Sequence, residues 1–201
     1  MPQTMTAAST MQTCHAHAAA MAPHNPYPLM QQQQRASTWW LTGLSGAGKT
    51  TLAQALASAL RLKGEAACVI DGDELRAGLC QDLGFDHASR AENVRRAAHM
   101  AQLLNANGVH AVVALISPAA EARARAYATI GPQRCKEIHV STPLAVCEQR
   151  DAKGLYARAR AAQLTRMTGV QAPYEPPEAP VLRIDTSVTT LPEAVRQMLK
   201  A

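Results

Sequence analysis

Gly43-Leu44-Ser45-Gly46-Ala47-Gly48-Lys49-Thr50 is the stretch that decides the fold. It satisfies G-x-x-x-x-G-K-[ST], the loop that cradles polyphosphates, with both end glycines, the lysine and the hydroxyl residue in place. Polyphosphate oxygens need several backbone N–H donors converging on one concavity, so the chain must bend tightly and come close to its ligand. Gly43, Gly46 and Gly48 carry no Cβ and permit that bend. Leu44, Ser45, Ala47 and Thr51 complete the loop around the phosphates. Lys49 brings a point charge to the β- and γ-phosphates, and Thr50 offers its Oγ to Mg²⁺. The helix that starts here turns its N-terminal partial positive charge toward the same anion.

The flanks agree with that reading. Ser37-Thr38-Trp39-Trp40-Leu41-Thr42 is a β-branched and aromatic run that predicts a buried strand. Leu52, Leu56 and Leu60 recur at helical spacing just after the loop. A plain glycine turn between core elements leaves Lys49 and Thr50 unexplained. Beyond the first helix, strand and helix keep alternating. Strands are predicted at 66–70, 109–116, 137–140 and 181–184. Ser89-Arg90-Ala91-Glu92 has the form of a capping box opening a long helix with Val94, Ala98, Ala101 and Leu104 on one face. Further helices are predicted over 119–130 and 143–149, with a closing one capped by Thr190-Leu191-Pro192-Glu193. The pattern implies an α/β fold of the P-loop NTPase type, a parallel sheet flanked by helices.

At 201 residues the chain suits one domain, with 47% hydrophobic and 17% charged residues. A net charge of +5 fits a polyanionic small molecule and is too weak and scattered to argue for nucleic acid. The five cysteines form no C-x-x-C pair, which points to free thiols in a reducing cytoplasm. No apolar run has membrane-spanning length. Residues 1–34 contain no Lys, Arg, Asp or Glu, so residues 1–36 read as a disordered low-complexity tail ahead of a domain at 37–201. Cys14, His15, His17 and His24 have metal-ligand chemistry there, but incidental histidines in a tail account for them.

The phosphate loop alone does not separate a kinase from other nucleotide hydrolases. A GTPase would show N-K-x-D, and this chain has none. Asp71 and Asp73 follow a predicted strand, at the end where open α/β sheets bind ligands. There Asp71 can hold Mg²⁺ and Asp73 can orient or deprotonate an acceptor hydroxyl, or the pair simply caps the next helix. Arg76, Arg90, Arg95 and Arg96, with Phe85 among them, suit a stacked base and an anionic acceptor, while some of them solvate a helix face. Residues 151–168 carry Lys153, Arg158, Arg160 and Arg166, and residues 173–180 hold four prolines. This reads as a basic lid over the phosphates, or as a solvated basic helix.

Several stretches together carry a family resemblance. They are Leu41 through Thr50, Asp71-Gly72-Asp73-Glu74-Leu75-Arg76-Ala77-Gly78-Leu79, Asp82-Leu83-Gly84-Phe85, and Arg90-Ala91-Glu92-Asn93-Val94-Arg95-Arg96. Ile116-Ser117-Pro118, Arg150-Asp151-Ala152-Lys153-Gly154-Leu155-Tyr156 and Pro173-Tyr174-Glu175-Pro176-Pro177 complete the set. In order and spacing the chain resembles adenylylsulfate (APS) kinase from about Thr38 to Thr186. The resemblance implies transfer of the ATP γ-phosphate to the 3′-hydroxyl of APS, giving PAPS for sulfate assimilation. It places Asp71, Asp73, Arg76, Phe85, Arg90 and Asn93 around APS, Lys153 and Leu155 in the lid, and Arg150 beside the ATP adenine. It assigns Ser117 as a phosphoserine, whereas direct transfer with Asp73 as base needs none. A homodimer and a functional link to ATP sulfurylase also come with the family. The chain departs from it at Ala119 and Ala120, where an aromatic and an arginine are usual, and at Met167, where Phe is usual. A different small-molecule kinase and a non-catalytic nucleotide sensor share the same core motifs.

Overall fold

The structure is a computed structural model that describes residues 36–201. Its strands are β1 (Thr38–Thr42), β2 (Ala67–Asp71), β3 (His110–Ala114), β4 (Cys135–Val140) and β5 (Leu182–Ile184). They form one sheet in the order β2-β3-β1-β4-β5, and every pairing is parallel. All five residues of the central β1 are buried. Strand alternation sends Trp39 and Leu41 into one apolar layer and Trp40 into the other. Chain direction across the sheet reverses at β1, so the crevice beyond its C-terminal end is the ligand-binding position of this architecture.

The helices are α1 (Lys49–Leu62), α2 (Gly72–Ala77), α3 (His87–Ala106), α4 (Ala120–Ile130), α5 (Leu144–Arg150), α6 (Leu155–Arg160) and α7 (Leu191–Lys200). Leu52, Leu56 and Leu60 of α1 are each at most 2% exposed. Burial of each such side chain contributes about 1.5–3 kcal/mol, which seats α1 on the sheet and aims its N-terminus at the crevice. With α7 it covers the layer of Trp39 and Leu41, while α3 and α4 cover the layer of Trp40. The Trp39 indole also donates to the carbonyl of Met198, tying α7 to the central strand.

Two predicted helix starts differ. In α3 the cap is Asp86, not Ser89: the carboxylate accepts from Ser89 N at 2.9 Å and from Ser89 Oγ at 2.6 Å. Those bonds hold its carboxyl down to about 2. A full negative charge outcompetes a hydroxyl for a helix N-terminus. Glu92 is thereby free to bond Arg95 and Arg96. In α7, Thr190 occupies the cap position, but its side chain makes no capping bond and Pro192 sets the first turn instead. Leu104 is only half-buried, unlike Val94, Ala98 and Ala101. Cys14, His15, His17 and His24 lie outside the described residues. Cys68, Cys80, Cys135 and Cys147 are free thiols. Among the described residues no helix is long and apolar enough to cross a membrane.

Candidate active site

The loop after β1 and the turns after β2 and β3 line one cleft of about 810 Å³. Of the loop, Ser45, Gly46, Gly48, Lys49, Thr50 and Thr51 face it, whereas Gly43, Leu44 and Ala47 do not. Two glycines are needed for packing as well as for ligand approach. A Cβ on Gly43 would lie 2.4 Å from the carbonyl oxygen of Val140 in β4, and one on Gly46 would lie 2.9 Å from that of Cys147 in α5. Ala47 is fully buried, and its carbonyl accepts from Thr142 and Thr186.

Lys49 folds back into its own loop, donating to the carbonyls of Gly43 (2.9 Å) and Leu44 (2.7 Å). Burial pushes its ammonium down from 10.5 to about 8, against smaller opposing pulls from Cys147 and Asp71. The charged form is therefore penalised in the folded chain, fully so below pH 8, and the penalty is relieved as pH rises from 8 to 10.5. A polyphosphate beside it favours the ammonium and raises that value. ATP binding between pH 8 and 10.5 is thus expected to take up a fraction of a proton at this site, largest in the middle of that range. Calorimetry in two buffers of different ionisation enthalpy measures this, and Lys49→Met should abolish it; equal uptake in both proteins would assign the proton elsewhere.

Asp71 caps α2 and meets Thr50 in the cleft. Its Oδ1 accepts from Asp73 N at 2.9 Å, capping α2, and its Oδ2 accepts from Thr50 Oγ1 at 2.7 Å. The hydroxyl and carboxylate oxygens thus brought together are hard donors of the kind Mg²⁺ takes. Asp73 stands at the mouth of the cleft with its carboxylate 68% exposed, paired with Lys153 from the segment before α6. Across from it, the Arg76 guanidinium lies 4.2 Å from the Phe85 ring centroid, and Arg90 bonds the Phe85 carbonyl, Thr168 Oγ1 and the carbonyl of Arg166. Phe85 remains 58% exposed. Asn93 is 5% exposed, faces the cleft, and its Nδ2 has no hydrogen-bond partner. Such an orphan donor costs about 1–3 kcal/mol, so a position like this is expected to serve a ligand acceptor. Arg95 and Arg96 do not line the cleft; Arg96 grips Asp82 and the carbonyl of Leu79, bracing the outer loop.

Ser117 lines the cleft but is 3% exposed, with a left-handed φ of 39°. Its Oγ accepts from Trp40 Nε1 at 3.1 Å. Arg150 donates to Thr186 Oγ1 (2.7 Å) and to the carbonyls of Thr186 and Gly46, spanning the β5 exit and the phosphate loop. Lys153 and Leu155 line the cleft, and Tyr156 Oη beside them donates to the Ser45 carbonyl. Met167 does not line it. It is buried in the apolar cluster that holds Tyr156 and Ala159, because its own carbonyl turns the chain back through three backbone bonds. The residue pattern alone did not single out Tyr156, Thr186, Thr189 or Leu191, all of which line the cleft. Position is the signal that finds Thr186, since it leaves β5 at the sheet's C-terminal edge, as Asp71 leaves β2.

The family model of adenylylsulfate kinase matches residues 35–185, well over half of the chain. The chain belongs to that family. An adenylyl-sulfate kinase of Bacteroides fragilis is 45% identical over 168 residues, covering 84% of this chain and 83% of its own length. One of Shewanella denitrificans is 47% identical over 169 residues, 84% of this chain and 82% of its own. Among solved structures, the Mycobacterium tuberculosis APS kinase in complex with AMPPNP and APS matches with a TM-score of 0.79 at 44% identity. That match covers 82% of this chain and 96% of the other. As a member of the adenylylsulfate kinase family the chain is a kinase, hence a transferase, built on the P-loop sheet read from its sequence.

Proposed function

We propose that the cleft transfers the γ-phosphoryl group of ATP to the 3′-hydroxyl of adenosine 5′-phosphosulfate, releasing ADP and PAPS. The observation that carries this reading is the pairing of two chemistries in one cleft. A phosphate loop with Lys49 forms one end; Phe85, Arg76, Arg90 and the unpaired Asn93 amide form the other, with Asp73 at its mouth. An exposed ring under a guanidinium suits a stacked base, and the arginines suit an anionic phosphosulfate.

In this assignment Ser45 through Thr51 and Arg150 hold ATP. Asp73 accepts the proton of the attacking hydroxyl, and Lys49 stabilises charge that builds on the transferring group. Thr50 and Asp71 would hold Mg²⁺, which when bound neutralises charge on the phosphates. Lys153 bridges from the segment at 151–172 to Asp73, and we assign that segment as a lid that excludes water when both nucleotides are in place. Ser117 serves as a wall of the acceptor site and not as a phosphoserine, since Trp40 holds its hydroxyl and its surface is buried. Free thiols at Cys68 and Cys135 suit a reducing cytoplasm. A homodimer and a functional link to ATP sulfurylase are part of this proposal.

A coupled assay for ADP release decides the reading. Turnover is expected only with ATP, Mg²⁺ and APS together. ADP release with a sugar acid or nucleoside and none with APS would replace the acceptor while keeping the phosphate loop. We assign residues 37–201 as the catalytic unit, with the dispensable part of the tail ending before Ala36. Ala36 is buried and Ser37 N donates to His110 Nδ1, so the safe cut lies just before them. Removing residues 1–34 is expected to leave kcat and both KM values within about two-fold. A larger loss would give the tail a part in the site.

A further inference from the structure

Arg123 of α4 is 3% exposed, and its guanidinium is engaged by protein at every nitrogen. Nε donates to Glu137 Oε1 at 3.0 Å, Nη1 to the carbonyls of Ser117 (2.8 Å) and Pro118 (3.2 Å), and Nη2 to the carbonyl of Glu175 (2.8 Å). The same Glu137 oxygen accepts from Tyr127 Oη at 2.7 Å. The Tyr127 ring meets Trp40 edge-on at 6.0 Å, and Trp40 Nε1 returns to Ser117 Oγ. The contacts thus form a closed circuit that grips Ser117 at its carbonyl and at its hydroxyl. A buried ion pair needs only one carboxylate. This fork also reaches three carbonyls on two separate segments, a use of guanidinium geometry that a lysine cannot reproduce.

Those segments meet at the acceptor end of the cleft. The residues leaving β3 pack on Gly72, between the two aspartates: a Cβ there would stand 3.5 Å from the carbonyl oxygen of Ala114 and 3.7 Å from Leu115 Cγ. The strap that follows the 151–172 segment is fastened to the same turn, by Glu175 N to the Pro118 carbonyl at 2.9 Å and by Ala120 N to Glu175 Oε2 at 2.6 Å. We propose that Arg123 is a positioning residue for the acceptor nucleotide: it fixes the Ser117 turn as a rigid wall of the acceptor site and locks the strap to it. The inference rests on the acceptor assignment made above. It gives the left-handed Ser117 a reason that needs no phosphoserine.

Arg123→Lys keeps the charge opposite Glu137 and loses the fork. Its KM for APS is expected to rise about 10-fold or more, with KM for ATP nearly unchanged, because displacement is confined to one wall. Made in a Trp39→Phe background, the same variant reports through Trp40, whose emission should shift as its bond to Ser117 loosens. Tyr127→Phe removes only the hydroxyl that orients Glu137 and should move both readouts the same way by less; it decides the matter if Arg123→Lys does not fold. Unchanged APS kinetics and emission overturn the proposal, and so does a rise in KM for ATP equal to that for APS. A parent chain that fails to phosphorylate APS overturns the acceptor assignment instead, and with it the basis of this role.

Discussion

Lys49→Ala is expected to lower kcat by about 10² to 10³-fold or more while nucleotide still binds. The loss follows from where the ammonium sits. It is tethered to the carbonyls of Gly43 and Leu44 inside the loop that would wrap the phosphates, and both bonds are ones it can exchange for phosphate oxygens. Its charge acts on negative charge that develops during transfer, which corresponds to about 3–4 kcal/mol of transition-state stabilisation. Backbone donors of the loop hold ground-state nucleotide without it. Since burial already disfavours the ammonium in the folded chain, removing it should not unfold the protein. Lys49→Met, which keeps most of the buried stem, should melt at or above the parent's temperature. Near-normal turnover in either variant, with an unchanged circular dichroism spectrum, would sink the phosphate-loop assignment itself.

The second large effect separates Asp73 from Ser117. Asp73→Asn keeps the shape of the carboxylate and cannot take the proton, so kcat should fall by about 10² to 10⁴-fold with ATP affinity largely kept. Its partner Lys153 makes the comparison sharper. Lys153→Met removes the ion-pair partner and leaves the Asp73 carboxylate in place, so it should raise KM for APS more than it lowers kcat. Ser117→Ala should be impaired but active. Trp40 Nε1 loses its acceptor, and a left-handed backbone at φ 39° remains to be held by the Ser117 carbonyl bond to Arg123. An obligatory covalent relay predicts the reverse order of severity, with phosphate appearing on Ser117 from ATP before APS is added. Trapping that phosphate and chasing it into APS at a competent rate would falsify direct transfer while leaving the kinase intact.

How much of this was legible beforehand depends on the range over which each feature is encoded. The octapeptide at 43–50, the buried run before it and the leucines after it are local, and together they specify strand, loop and helix in that order. The twin aspartates were readable as site or as helix cap; Asp71 caps α2 with one oxygen and meets Thr50 in the cleft with the other. Spacing left Arg76, Arg90, Arg95 and Arg96 equivalent. Helical geometry then turns Arg95 and Arg96 back to Glu92 and leaves Arg76 and Arg90 beside Phe85. Where capping went astray, at Asp86 in place of Ser89, two acceptors one turn apart competed and charge decided.

The sequence by itself determined the class of fold, the phosphate loop and the family, because each is written in contiguous or evenly spaced residues whose physics is short-range. Tertiary structure alone decided that Gly43 and Gly46 are required by β4 and α5, that Met167 is core, and that Asn93 keeps an unpaired donor facing the cleft. It also decided that Arg123, Glu137, Tyr127 and Trp40 converge on Ser117. Those residues come from β1, α4 and β4 and meet only when the parallel sheet stacks its crossovers. A contact between distant segments depends on the register of strands and the docking of helices, which no local pattern of residue types encodes.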